Sequence, residues 1–325
     1  MGPHRPGCAI AVCLLGVTGC GGGEPAHQFP GGYQALSETG LYRDIARKEL
    51  ASDLVDFAPA HVLWSDGADK DRYLRLPEGS RIDTSDMDHW RLPVGAQLFK
   101  SFSKGGVVIE TRLIERIAAT GDRDDDFWVG AFVWRDDESD ADFVADGADD
   151  ARGTDHDVPD VKTCWLCHRG QPGAALGVQA LQLSNDEDTI GALAAADLLS
   201  DPPDGSFSAP GTGTVQAALG YLHANCGHCH NPLGAARVDT DMDLQVSVFD
   251  RSPEDTRTYR TTVGVELQYF ESDDYVYRVV AGDPAASGLL HRMTIRGDDV
   301  AMPPAGTEQI DEAGLALVGD WIGGM

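Results

Sequence analysis

Basic residues are scarce in this chain: 25 Lys+Arg stand against 53 Asp+Glu among 325 residues, a formal net charge of −28 at pH 7. So acidic a surface repels the phosphates of nucleic acid and of anionic membranes, which excludes nucleic-acid binding, and it steers basic partners towards the chain. It also serves simply to keep an exported protein soluble. No glycine loop is placed to cradle phosphates, since Gly21-Gly22-Gly23 has no strand before it and no helix after it. No serine or cysteine sits in a recognisable nucleophile setting, and no basic patch is interleaved with aromatics. No catalytic residue is therefore assigned. Cysteine has no surplus either: of the seven, Cys8 and Cys13 fall in the leader, Cys20 closes it, and the other four form two pairs. None is left for a structural disulfide.

Those two pairs organise the chain. Cys164-Trp165-Leu166-Cys167-His168 and Cys226-Gly227-His228-Cys229-His230 both read CxxCH. Two thiols at this spacing can add across the two vinyl groups of one haem, and the histidine directly after them lies beneath the iron as proximal ligand. Two CxxC pairs could also build one four-cysteine zinc site, or act as disulfides or redox pairs. Neither alternative needs a histidine after the second cysteine, and histidine fills only 10 of 325 positions. The pattern therefore points to two covalently bound haem c groups, on Cys164 and Cys167 with His168, and on Cys226 and Cys229 with His230.

The N-terminus carries Arg5, an apolar run over residues 8–17 and then Val17-Thr18-Gly19-Cys20. The run is too short to span a bilayer and has the pattern of a secretory signal peptide over residues 1–19. The small-residue approach to Cys20 resembles a bacterial lipoprotein cleavage site, which implies a lipid on Cys20, a tether over 20–36 and a membrane anchor. Residues 36–54 suggest one or two short helices. Four segments, 73–76, 97–102, 106–114 and 127–134, alternate apolar with polar residues or are rich in Val, Ile, Phe and Trp; they predict antiparallel strands of a β-sandwich. The acidic stretch 136–160 fits no EF-hand spacing and reads as a solvated loop.

A short helix is expected over 189–199, and Pro202-Pro203-Asp204-Gly205 punctuates the chain. The fold class expected is α+β: a β-rich domain over 37–200 that ends in the first motif, then a mostly helical domain over 201–325. In the second, helix 212–225 delivers Cys226, and Asp311 caps a terminal helix with Leu315, Val318, Trp321 and Ile322 as its buried stripe. Between them, residues 242–280 form an insertion, strand-like at 261–270 and 275–280.

Residues 210–325 resemble a class I cytochrome c domain, on Cys226, Cys229, His230, the Ala301-Met302-Pro303-Pro304 turn and the Trp321 helix. That resemblance implies that Met302 is the distal iron ligand, with Met293 as runner-up and Met242 behind it. The whole chain looks like a group of diheme c-type lipoprotein cytochromes of Gram-negative bacteria, on Leu36-Ser37-Glu38-Thr39-Gly40-Leu41, Leu63-Trp64-Ser65-Asp66-Gly67-Ala68, Tyr221-Leu222-His223-Ala224-Asn225-Cys226 and Gly282-Asp283-Pro284. The β-rich part, with its segment 90–100 and closing CxxCH, is similar to the cytochrome c-prime-beta type domain, whose haem is commonly five-coordinate. No methionine lies between His168 and Met242, so the sixth position of the first haem is either open or filled from afar by His61, Met87, His89 or His156.

These features support two functions. The first is electron transfer in the periplasm or outer membrane, with redox partner proteins that dock through basic surfaces. The second is a haem enzyme or small-molecule sensor, in which an open first haem takes peroxide, nitric oxide or hydroxylamine and the second relays electrons.

Overall fold

The computed structural model describes residues 32–269, 272 and 274–325. The expected leader, Cys20 and the tether up to residue 31 lie outside the described residues. Residues Tyr33–Met325 form one compact α+β unit.

A six-stranded antiparallel sheet in simple up-and-down order dominates the first half. Its strands are β3 (Val55–Asp56), β4 (Asp69–Arg75), β5 (Gln97–Lys104), β6 (Val107–Arg116), β7 (Phe127–Trp134) and β8 (Ala141–Phe143), with a one-turn helix α1 (Arg123–Asp126) before β7. Lys104 pairs with Val107, so the β5–β6 hairpin turns on two residues. Gly105 and Gly106 both have positive φ, at 58° and 84°. A turn of that hand matches the twist of the flanking strands, and side chains other than hydrogen rarely enter it.

Both sheet faces are covered. On one, Leu74, Leu98, Ile114 and Val129 pack with Trp90, Leu92, Ala180 and Leu193. On the other, Phe99, Leu113, Phe132 and Trp134 pack with Leu36 and Leu41. The second layer of the expected sandwich is thus a short N-terminal segment and a two-stranded ribbon, β1 (Tyr42–Asp44) with β2 (Glu49–Leu50), in place of a second full sheet. The helices expected over 36–54 reduce to single 3-10 turns at Leu36–Thr39 and Ile45–Arg47. Gly40, at φ 77°, ends the first of these in the left-handed region, and Leu41, Tyr42 and Ile45 are taken up by the sheet face.

Helices carry the rest: α2 (Val161–His168), α3 (Ala180–Leu183), α4 (Thr189–Ala195), α5 (Thr214–Asn225), α6 (Arg257–Thr262), α7 (Gly288–Met293) and α8 (Glu312–Gly323). Asp311 caps α8 as expected, its carboxylate accepting from the Gly314 amide at 2.9 Å. Val318, Trp321 and Ile322 pack against Leu219 and Leu222 of α5. The strand-like reading of 261–270 and 275–280 is corrected: Thr261 and Thr262 end α6, and beyond them only isolated bridges form among the described residues, Val263 with Val279, Glu266 with Tyr277, Tyr277 with Ser287 and Val280 with Asp283. The reason lies in the hydroxyls. Thr262 bonds back to the Thr258 carbonyl at 2.6 Å, and Thr256 caps the helix by accepting from the Tyr259 amide at 3.1 Å.

The 200–201 junction expected between domains lies inside this single unit. Leu181, before it, belongs to the α5–α8 core, and the Ser247 hydroxyl donates to Asp88 at 2.6 Å.

Candidate functional site

The first motif occupies the whole second turn of α2. Asp160 caps that helix by accepting from the Thr163 amide at 2.6 Å, which sets the register of its later turn. Cys164 and Cys167, one turn apart, then share a face, and α2 lies against β7. Cys164 is buried in the apolar core of the sheet, and burial pushes its thiol up to about 11. His168 closes the helix. Its Nδ1 lies 2.7 Å from the Ala174 carbonyl; a carbonyl only accepts, so Nδ1 carries the proton and Nε2 keeps its lone pair. That is the tautomer a metal-ligating histidine needs. Burial, with Lys100 adding to it, holds the imidazole at about 4, so the ring is neutral at pH 7.

The second motif leaves the C-terminal end of α5. Cys226 caps the helix, and its carbonyl accepts from the Cys229 and His230 amides at 3.1 and 2.9 Å, which winds the motif into a tight turn. Asn231 locks that turn by donating to the Gly227 and His228 carbonyls at 2.7 and 3.0 Å. Burial holds Cys226 at about 12 and His230 at about 4, the latter helped by the nearby Arg292 guanidinium. His230 Nδ1 is buried without a hydrogen-bond partner, as is His228 Nδ1. The Met302 amide donates to the Arg292 carbonyl at 3.0 Å, so the same arginine joins the Met302 loop to the surroundings of His230. Met293 is buried in the α5–α8 core.

The two motifs meet. Ligand atoms of Cys167, His228 and Cys229 lie within 4.8 Å of one another, and the Cys229 thiol donates to the Leu166 carbonyl at 3.5 Å. The adjoining Cys229 thiol holds Cys167 well below the usual thiol range, and the same contact, with burial, pushes Cys229 above it. Just past the first motif, a Cβ on Gly170 would stand 1.9 Å from the His228 carbonyl; only glycine permits this approach. Cys164 and Cys226 stand outside the cluster, so the four cysteines do not converge on one tetrahedral site, and none of the four is in a disulfide. The three clustered donors would suit a soft metal ion only with a further ligand.

No family model, curated protein or solved structure that was compared with this chain matches it.

A clamp ties the second motif to the first half of the chain. The Trp64 amide donates to Asn225 Oδ1 at 2.7 Å, next to Cys226, and Asn225 Nδ2 donates to the Val62 carbonyl at 3.2 Å. Two residues on, the buried Asp66 carboxylate accepts from the Glu308 and Gln309 amides at 2.9 and 3.0 Å. The stretches 63–68 and 221–226, singled out in the sequence, are therefore spatial neighbours.

The four residues considered for a sixth ligand of the first haem part company. His156 Nε2 is engaged by Glu110 at 2.7 Å. His89 Nδ1 faces Asp86 at 3.2 Å. The His61 ring lies over Gly220 of α5, where a Cβ would stand 2.1 Å from it, on the helix of the other motif. Met87 packs against the cluster that holds Cys164.

Sequence reasoning missed a set of cations. Lys70, Arg72, Lys100 and Arg112 project from β4, β5 and β6 on the face that α2 covers, and burial and the neighbouring cations push Lys100 down to about 7. The signal was a period of two: Lys70, Arg72 and Leu74, then Leu98, Lys100 and Phe102, then Glu110, Arg112 and Ile114 alternate as one face. Charge at inward positions of otherwise apolar strands was the anomaly to notice.

Proposed function

We propose that the chain is a diheme c-type cytochrome that transfers electrons, with both haems held on the described unit and the chain anchored through Cys20. The observation that supports this reading above the others is the contact between the two motifs. Cys164 and Cys167 would carry one haem and Cys226 and Cys229 the other, each through thioether bonds. Because Cys167 and Cys229 are neighbours, the edges attached to them would be neighbours too. The groups would supply reversible one-electron chemistry at two adjoining centres.

The residues around them fit this task. His168 is held neutral, in the tautomer with a free Nε2, by burial and the Ala174 carbonyl, and His230 is held neutral by burial. Met302, on a loop tied to Arg292, would offer a soft thioether to the second iron. The sequence between His168 and Met242 holds no methionine, and the sheet face opposite α2 holds cations. Both observations favour a second reading, in which the first haem keeps an open side and works as an enzyme or sensor for a small molecule.

Haem counted by the pyridine method tests the proposal. Two haems per chain are expected in the intact protein and one in a Cys164→Ala, Cys167→Ala double variant; no haem in the intact protein sinks the reading. Adjoining haems should also give a bisignate Soret circular dichroism couplet. Carbon monoxide binding by the reduced protein separates the two functions, since a fully six-coordinate pair binds little.

A further inference from the structure

A row of like charges crosses three strands. Arg72 lies directly opposite Lys100, and Lys100 directly opposite Arg112, in the antiparallel registers of β4, β5 and β6. Like charges placed so are destabilising. Lys70 joins them one pair along, opposite Phe102. The heads converge rather than splay: Lys70 Nζ, Lys100 Nζ and Arg112 Cζ stand 5.9, 5.8 and 4.3 Å from the centroid of the Phe102 ring. Arg72 is buried at 8% exposure and Phe102 at 0%.

Little on the chain balances them. Among the described residues of these three strands, Glu110 is the one carboxylate that shares their face, and it is already taken by Arg112 at 2.8 Å and by His156 at 2.7 Å. Lys70 and Arg72 donate to main-chain carbonyls, those of Ala68 and Lys70, at 3.1 and 3.2 Å. Asp69 and Asp71 point to the other face by strand alternation, and Asp66 is occupied by two amides. The covering helix α2 carries no carboxylate, and the one acidic group it brings near both Lys100 and Arg112 is the Cys167 thiol.

We propose that Lys70, Arg72, Lys100 and Arg112 form an anion-binding site, which takes a carboxylate or small oxyanion between the sheet and the first cysteine motif. Two sources share that chemistry: a free oxyanion, or the propionates of a haem attached at Cys164 and Cys167. The site itself does not rest on the haem reading; only the second source does.

The test is calorimetric titration of the full-length protein with sodium sulfate and sodium nitrite in low-chloride buffer, with haem counted on every sample. If a free oxyanion is the ligand, the protein binds one of these saturably. Lys100→Met then weakens binding about ten- to a hundredfold, as expected for one charge-assisted hydrogen bond, while Lys100→Arg keeps it within about threefold. If the propionates fill the site, sulfate binding is absent from the intact protein and appears in the Cys164→Ala, Cys167→Ala variant. Lys100→Met relieves repulsion, so it should fold, as a far-ultraviolet spectrum would verify. Binding that is absent from both backgrounds, or unchanged by Lys100→Met, overturns the site. A chain without haem sinks the haem reading alone and leaves the titration to decide this one.

Discussion

The two cysteine motifs share a pattern and almost nothing else. The first ends a helix laid on a sheet face where an apolar row gives way to cations; the second ends a helix buried in an apolar helix pair. His168 has its Nδ1 bonded to a carbonyl, whereas His230 has a buried Nδ1 with no partner. The difference teaches that the motif supplies only two thiols and a histidine. The surroundings decide how firmly each histidine is oriented and what lies near it: cations beside the first motif, the Met302 loop and the Arg292 guanidinium beside the second.

The contact between the motifs is where that comparison breaks most readily. Gly170→Ala puts a Cβ 1.9 Å from the His228 carbonyl, so the two backbones must separate. The expected cost is about 3 kcal/mol, at the upper end for overpacking, measurable by urea unfolding, with loss of the Soret couplet. An unchanged midpoint and an unchanged couplet would mean that the motifs do not meet as described.

A smaller effect should come from the clamp that ties the first half of the chain to the second motif's half. Asp66→Asn keeps the side-chain shape but weakens two charge-assisted bonds to the Glu308 and Gln309 amides. A loss of about 1–2 kcal/mol is expected. On the diheme reading, any change of ligand-field spectrum should be confined to a haem on His230, because the Met302 loop lies just before those amides in sequence. Spectral change at the haem of His168 instead would speak against the assignment.

A slope with pH belongs to the first motif alone. Lys100 is pushed from its ordinary 10.5 to about 7 by burial and the surrounding cations. Between those values the unfolded chain holds that proton and the folded chain does not. Stability in anion-free buffer should therefore rise as pH goes from about 7 to 10.5, with the full penalty present below about 7. Lys100→Met should flatten the rise. Thermal unfolding at a series of pH values reads it, and an identical slope in the variant would remove Lys100 as its source.

Much of the fold was legible because its signals are local. The run of Val, Phe and Trp over 127–134 predicted β7 to the residue, and Asp311 with its apolar stripe predicted α8. Residues 36–54 misled because Leu41 and Ile45 carry a helix-like spacing yet pack across a ribbon onto the sheet, a contact no window of sequence contains. The insertion misled for the opposite reason, as β-branched threonines that suit strands satisfied their hydroxyls within a short helix. His228 also escaped notice, because Cys167 and the chain at Gly170, which it meets, belong to the other motif and lie far from it in sequence.

By itself, the sequence determined the two CxxCH motifs, the acidic balance and the strands and helices with strong periods, because each depends on neighbours a few residues apart. Only the tertiary structure decided that Cys167 and Cys229 meet, that Asp66 and Asn225 clamp the halves together, and that four cations converge beside the first motif. Those outcomes depend on how strands register and how helices land on them, and distances across a folded chain are fixed by packing, which no local spacing records.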